Sequence, residues 1–269
     1  MSEIFFSVST IKLALPVMVL ATLWTWESVY PFFYWQNRLN HAAQNLLLAV
    51  FNIVIQSLVF GAATVYVAEW TTRNSFGLLN LIDVTVPLKF VVAMLLLDSW
   101  MYVWHRANHM IPFLWRFHRT HHSDNCMDVT TATRFHLGEH AIASLLRLVL
   151  IPLFGFGIWQ IIIYDMMVVA LTQFHHANIS LGAWDRWVRI FIVTPDMHKM
   201  HHSRWKPETN SNYSVVLSVW DRLARSFRMR QDLTEINIGL DDFDDAKWQT
   251  FWGLLKTPFL PARRRPESQ

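Results

Sequence analysis

Long apolar runs alternate along the chain with short polar stretches that carry its histidines, and the run lengths set the expected architecture. Ile4 to Trp26 is apolar apart from Lys12, and the turn after it holds Glu27, Pro31 and Arg38. Leu39 to Ala68 is thirty residues without Asp, Glu, Lys or Arg, more than the ~20 that a helix needs to cross a hydrocarbon core. Glu69 to Asn80, with Arg73, Asn74 and Gly77, reads as a polar loop. Leu81 to Trp104 is a third run, interrupted by Asp83, Lys89 and Asp98. Asp98 lies two helical turns before His105, on roughly the same face, and its plain reading is a snorkelling or capped carboxylate. His105 to His140 is polar and basic, and Ala141 to Phe174 is apolar again apart from Arg147 and Asp165.

The fourth run decides the topology. A single crossing would put the histidines before it and after it on opposite sides of the bilayer. Its 34 residues are short for two full spans of ~20 each plus a turn, so the expectation is a helical hairpin that goes in and comes back, turning near Pro152, Gly155 and Gly157. Beyond Leu181 the chain is mixed, with Gly182, Trp184, Arg186 and Arg189, then a short apolar element over Val215 to Phe227. Asp244 to Lys256 reads as an amphipathic helix with Trp248, Phe251 and Trp252 in the interface. Pro261 to Gln269, with Arg263 to Arg265, reads as a disordered tail on the cytosolic side. The predicted fold is an all-α integral membrane bundle of about four apolar regions, the last a helical hairpin, under a polar histidine-rich cap facing the cytosol. Its expected divisions are an N-terminal transmembrane region (1–96), a histidine-box region (97–230) that includes the apolar hairpin (141–174), and a C-terminal segment (231–269).

Composition agrees. The chain is 53% hydrophobic and 16% charged, against roughly 25% charged in globular proteins. Trp24, Trp26, Trp35, Trp70, Trp100 and Trp104 stand near the ends of apolar runs, where indoles meet headgroups. One cysteine, Cys126, excludes an internal disulfide and reads as an incidental thiol. The formal net charge of +3 reads as loop charge on the cytosolic side rather than a nucleic-acid surface. With Glu3 and Lys12 and no basic n-region, the first apolar stretch is expected to stay as an anchor.

The histidines are not scattered. They fall in blocks, HRANH (His105 to His109), HRTHH (His118 to His122), FHHAN around His176 and HKMHH (His198 to His202). Random placement would give one HxxHH unit in only about one such chain in thirty, and here there are two. On a helix, positions i, i+3 and i+4 share a face, so each HxxHH unit aims three imidazoles one way. Eight histidines in three blocks exceed the four-coordinate shell of a structural zinc, so more than one metal is implied. Imidazole suits Zn, Cu, Fe and Ni alike, and an iron pair that activates dioxygen gives so many neutral ligands beside a membrane a purpose. His41 stands alone and reads as an ordinary polar surface or core residue.

The ordered set HxxxH, HxxHH, a histidine before Ala-Asn, and HxxHH followed by Asn-Tyr resembles the fatty acid hydroxylase / sterol desaturase superfamily of membrane di-iron enzymes. The resemblance runs from about Leu97 to Phe227, through DSWMYVWHRANH, WRFHRTHHS, TPDMHKMHHSRWKPETNSNY and LSVWDRLARSF. It implies two iron ions held by His105, His109, His118, His121, His122, His176, His198, His201 and His202. His175 is then a supporting or surface group. TATRFHLGEH aligns with an Arg-x-His-Pro-x-Glu pattern of the family, placing Arg134, His136 and Glu139 in register, although Leu137 replaces the proline; His136 and Glu139 are site residues of second rank. The implied chemistry is hydroxylation or desaturation of an unactivated C–H bond of a fatty-acyl, sterol-like or ether lipid, with carotenoids a weaker option. The electrons must come from an external reductase, ferredoxin or cytochrome, because GxGxxG, CxxCH and cysteine sets for iron–sulfur clusters are absent from the sequence. The expected location is a bacterial inner membrane or the endoplasmic reticulum. A histidine-rich metal transporter or sensor is the alternative; it would more naturally place its histidines mid-span. A zinc hydrolase lacks its HExxH motif.

Overall fold

The computed structural model describes residues 2–261, with side chains from residue 14 onward, so the expected basic tail around Arg263 to Arg265 lies outside the described residues. Every regular element within it is helical. α1 (Ser2–Val29) is followed by α2 (Arg38–Gln56), which continues through a π-turn (Ser57–Gly61) into α3 (Ala62–Arg73). α4 (Val86–Met110) and α5 (Pro112–His122) meet at a corner where Pro112 opens the second helix. α6 (Leu137–Phe154) and α7 (Ile158–His176) follow a 3-10 turn at Val129–Thr133. The remainder is short: α8 (Asp185–Val188), α9 (Pro195–His201), α10 (Lys206–Thr209), α11 (Val219–Leu223) and α12 (Phe251–Lys256). Among the described residues, four stretches are long and apolar enough to cross a membrane: Arg38–Asn80, Val86–Met110, Leu137–Phe154 and Ile158–His176.

The fourth apolar run is a hairpin, as the topological argument requires. Gly155 ends α6 at φ +84°, a left-handed position that favours glycine, and Gly157 starts α7 with its N–H on Gln160 Oε1 at 2.7 Å. Gly77 (φ +99°) lies against this turn so closely that a Cβ there would sit 2.3 Å from the Gly155 nitrogen. The two charges that interrupt the run neutralise each other, because Arg147 grips Asp165 through two contacts of 2.9 and 2.6 Å across the hairpin. Pairing is what keeps such groups tolerable at membrane depth. Ala68, Ala93, Leu97, Ile151, Ile161 and Tyr164 form the buried core between α3, α4, α6 and α7.

Asp98 is a buried, capped carboxylate. It accepts from Tyr164 Oη (3.0 Å), Trp220 Nε1 (2.7 Å) and the Leu217 N–H (3.1 Å), tying α4, α7 and the 215–223 segment together. α2 buries His41, Ala42, Asn45, Leu48 and Asn52 on one face. That polar-edged face packs on the loop after α5, with Asn52 donating to the Phe135 carbonyl, so the long uncharged run serves the cap at one end and the bundle at the other. The expected helix over Asp244 to Lys256 is broken instead. A 3-10 turn (Ala246–Gln249) and α12 are separated by Thr250 in an extended conformation (φ −96°, ψ 156°), whose hydroxyl caps α12 by accepting from Gly253 N–H. Gly253 permits the bend, since a Cβ there would meet the Lys247 carbonyl.

Candidate metal centre

The last turns of α4 carry His105 and His109, α5 carries His118, His121 and His122, the end of α7 carries His176, and α9 with its C-cap carries His198, His201 and His202. α9 begins at Pro195 after Thr194, whose hydroxyl accepts from Met197 N–H, and its short length turns three imidazoles onto one face. All four elements end at the same pole of the bundle. There the nine histidines form two groups, His105 with His109, His118, His122 and His201, and His121 with His176, His198 and His202, each with ring nitrogens within 4.8 Å of one another. The groups adjoin, with the His122 and His202 rings stacked at 4.4 Å.

In the five-histidine group the outer nitrogens of four rings are held, all but that of His122. His105 Nδ1 donates to the Tyr213 carbonyl (2.8 Å), His201 Nδ1 to the Ser211 carbonyl (2.7 Å), His118 Nδ1 to both Glu139 oxygens (3.0 and 3.1 Å), and His109 Nδ1 contacts Asn210 Oδ1 (3.3 Å). A ring that donates from Nδ1 leaves its Nε2 as a lone pair. The Nε2 atoms of His105, His109, His118, His122 and His201 are all buried without a hydrogen-bond partner. Buried polar atoms are rarely left so, and five unpartnered nitrogens facing one another is the pattern a cation resolves, with outer partners fixing the tautomer of four of the five rings.

The four-histidine group converges through Nε2 itself: His121 to His176 at 3.1 Å, His176 to His198 at 2.9 Å and His198 to His202 at 3.2 Å. Four nitrogens at ~2.1 Å from one ion would stand ~3.0–3.4 Å apart, so these edges are close to those that a four-nitrogen metal shell would have. Here only His176 has a fixed outer nitrogen, donating to the Thr172 carbonyl at 2.7 Å. Nδ1 of His121, His198 and His202 has no partner. Burial first, and neighbouring imidazoles second, push His121, His122, His198, His201 and His202 well below the usual histidine range. They are neutral, as ligands must be.

The second-rank residues separate. Glu139, at the start of α6, reaches His118 and also accepts from Asn108 Nδ2 (3.3 Å). His136 does not enter the centre; it caps α6 by accepting from Gly138 N–H and reaches the Leu255 carbonyl at 3.2 Å. His175 belongs to neither group but is buried against His198, ring centres 4.1 Å apart, which removes the surface alternative for it. Cys126 is half-buried, and burial together with Asp124 and Asp128 pushes its thiol up to about 12, leaving it a protonated bystander.

Sequence reasoning missed the support around the second box. His41 bridges Asp128 (3.0 Å) and Asp124 (2.9 Å). Burial alone would raise the Asp124 carboxyl, but His41 and Arg134 hold it well below the usual carboxylate range. Asp124 also accepts from Cys126 N–H and Thr131 Oγ1, fixing the turn that follows His122. Glu27, at the end of α1, accepts from the Val129 and Asn178 N–H groups at 3.1 and 2.8 Å. On the outer face of α5, Arg119 donates to the Thr257 and Leu260 carbonyls and Arg116 to that of Pro258, while Gln249 donates to the Ser123 carbonyl. Arg134 was in register with the family pattern, but a lone Asp, Glu or Arg gives no periodic signal, so the contacts it and the others make were not legible beforehand.

A family model described as fatty acid hydroxylase matches residues 90–226, the stretch that holds all nine histidines. An ornithine lipid hydroxylase, OlsE, of Rhizobium tropici is 30% identical over 164 residues, 57% of this chain and 46% of its own. The alkylglycerol monooxygenase of Homo sapiens is 25% identical over 203 residues, 70% of this chain and 43% of its own. The cholesterol 25-hydroxylase of Homo sapiens is 24% identical over 251 residues, 84% of this chain and 83% of its own. The matched part of this chain thus spans about half the length of the first two relatives. No solved structure matches the chain significantly.

Proposed function

The chain belongs to the fatty acid hydroxylase family, and from that premise we propose that it is a membrane-bound di-iron oxidoreductase that hydroxylates an unactivated C–H bond of a lipid. The observation that carries the proposal is the paired set of buried imidazoles with Nε2 lone pairs turned inward. His105, His109, His118, His122 and His201 would hold one iron, and His121, His176, His198 and His202 the other. Bound there, the irons supply the oxidising chemistry for R–H + O2 + 2 e⁻ + 2 H⁺ → R–OH + H2O, with both electrons from an external reductase, ferredoxin or cytochrome. Hydroxylation is favoured over desaturation because the relatives are named hydroxylases and monooxygenases.

The chain's own residues hold, orient and exclude. Glu139, Asn210 and the carbonyls of Tyr213 and Ser211 fix the ligand rings. Met197, Met200 and Tyr213, all buried, keep bulk water from the far side. His109 is the partly exposed member of its group, and the half-buried Trp115 ring lies over it at 5.0 Å. Met110, Ile111 and Phe113 are exposed beside this edge, and the proposal brings the lipid chain in over them. The site faces the cytosol in this reading, where a soluble or peripheral donor has access.

A transporter gains no support, because the nine histidines gather at one pole rather than along a span. The deciding experiment is metal analysis of the purified full chain with oxygen uptake and lipid mass spectrometry of an expressing cell. Two irons per chain and a lipid gaining one oxygen are expected. Stoichiometric zinc with no oxygen consumption overturns the reading.

A further inference from the structure

We propose that the segment 184–191 and the segment 219–225 together form a collar sunk into one leaflet of the bilayer, where it binds anionic phospholipid headgroups. The inference depends on the membrane spans and not on the oxidative chemistry. α7, a candidate span of 19 residues, is ~28 Å long, barely the ~30 Å of a hydrocarbon core. If α7 crosses, His176 at its end marks the membrane surface, and Tyr164, twelve residues earlier, lies ~18 Å along the helix from that surface. Asp98 precedes His105 by seven residues on α4, ~10 Å along its axis. Tyr164 bonds Asp98, and Asp98 takes the Leu217 N–H and the Trp220 indole. The 217–220 backbone is therefore fastened below the level of the histidines, at hydrocarbon depth.

Backbone at that depth must have its polar groups paired, and the 191–193 and 216–218 stretches pair with each other. Ile192 and Leu217 form an antiparallel bridge, flanked by Val193 N–H on the Val216 carbonyl (3.1 Å) and Ser218 N–H on the Phe191 carbonyl (3.1 Å). The side chains that this paired unit turns outward are apolar. Phe191 is 70% and Leu223 69% exposed, with Trp184, Trp187 and Ile190 exposed beside them.

The charge on the same surface has one sign. Arg186, Arg222 and Arg225 are exposed, whereas every carboxylate between residues 181 and 230, namely Asp185, Asp196, Glu208 and Asp221, is buried. Asp185 is taken by Arg189 at 3.0 Å, and Asp221 by the Tyr213 and Ser214 N–H groups. Aromatic and aliphatic groups flanked by guanidinium groups without exposed acids suit a leaflet of anionic phospholipid, the apolar rings among the acyl chains and the arginines snorkelling to the phosphates.

The test uses the full chain in lipid nanodiscs, with Cys126→Ser as background and spin labels at Phe191→Cys, Leu223→Cys and, as an aqueous control, Lys247→Cys. Labels 191 and 223 should meet dissolved oxygen in preference to a water-soluble nickel relaxant, and label 247 the reverse. Nickel access at both collar positions overturns the embedding, as does a collar-to-collar cross-link between two copies, which would make the surface a protein interface. For the headgroup arm, native mass spectrometry compares retained phosphatidylglycerol with phosphatidylcholine. Wild type should prefer the anionic lipid, and Arg186→Gln and Arg225→Gln should each lower that preference about five-fold. Equal retention of the two lipids by wild type overturns headgroup recognition. Iron content serves as the folding control, since none of these positions lies in either histidine group.

Discussion

Replacing Glu139 tests whether the outer hydrogen bonds of the five-histidine group act on the metal. Glu139 accepts from His118 Nδ1 at 3.0 and 3.1 Å in a buried setting. Its loss removes a charge-assisted hydrogen bond with a net contribution of about 1.5–3 kcal/mol and frees the His118 ring to rotate away from its Nε2-inward pose. Removal of such partners elsewhere weakens metal binding 10–100-fold, about 1.4–2.7 kcal/mol. Glu139→Gln keeps a carbonyl oxygen within reach and should fall at the ~10-fold end, while Glu139→Leu, which fills the space without an acceptor, should reach ~100-fold. The assay is a competitive chelator titration of iron from the purified protein, with helical content as the check on folding. Wild-type iron affinity in a folded Glu139→Leu protein would refute the argument that this contact orients a ligand.

The two groups should not release metal alike. Four of five rings in the larger group have a fixed outer nitrogen against one of four in the smaller, so graded chelation should empty the smaller first, seen as a one-iron plateau in native mass spectra; simultaneous loss of both contradicts this. The metal-free protein should lose stability as pH falls below ~6.5, because burial pushes His121, His122, His198, His201 and His202 down and the unfolded chain then takes up protons that the fold refuses. Its melting temperature should drop from pH 6.5 toward 5, and the absence of that drop argues against neutral, buried rings. Across the hairpin, Arg147→Met should destabilise by about 2.5–3.5 kcal/mol by leaving Asp165 unpaired at membrane depth, with much of the loss recovered in Arg147→Met/Asp165→Leu; additive losses would mean that the pair is uncoupled.

The sequence made the histidine cluster and the hairpin legible for a common reason: both are written in local patterns. Each HxxHH unit lies within one helical turn or so, on α5 and on α9 with its C-cap, and the 34-residue run is contiguous, so spacing alone reports them. What could not be read joins positions far apart. His41 meets Asp124 and Asp128 across 83 and 87 residues, and Glu27 reaches Asn178 across 151. The helix expected over Asp244 to Lys256 failed because helical periodicity does not register a Thr that prefers to cap rather than continue. Asp98 was legible as capped but not by whom, since Leu217 and Trp220 arrive from a segment that composition marks as merely mixed.

The arginines on the back of α5 give the protein a schedule. Carbonyls of Thr257, Pro258 and Leu260 brace the helix that bears His118, His121 and His122, and they are synthesised after every histidine in both groups. A nascent chain can therefore insert its hairpin and still lack the strut that steadies the second box. The brace on the second box forms only once residues 257–260 have been made, so a ribosome stalled near residue 245 would hold a membrane-inserted but unbraced precursor.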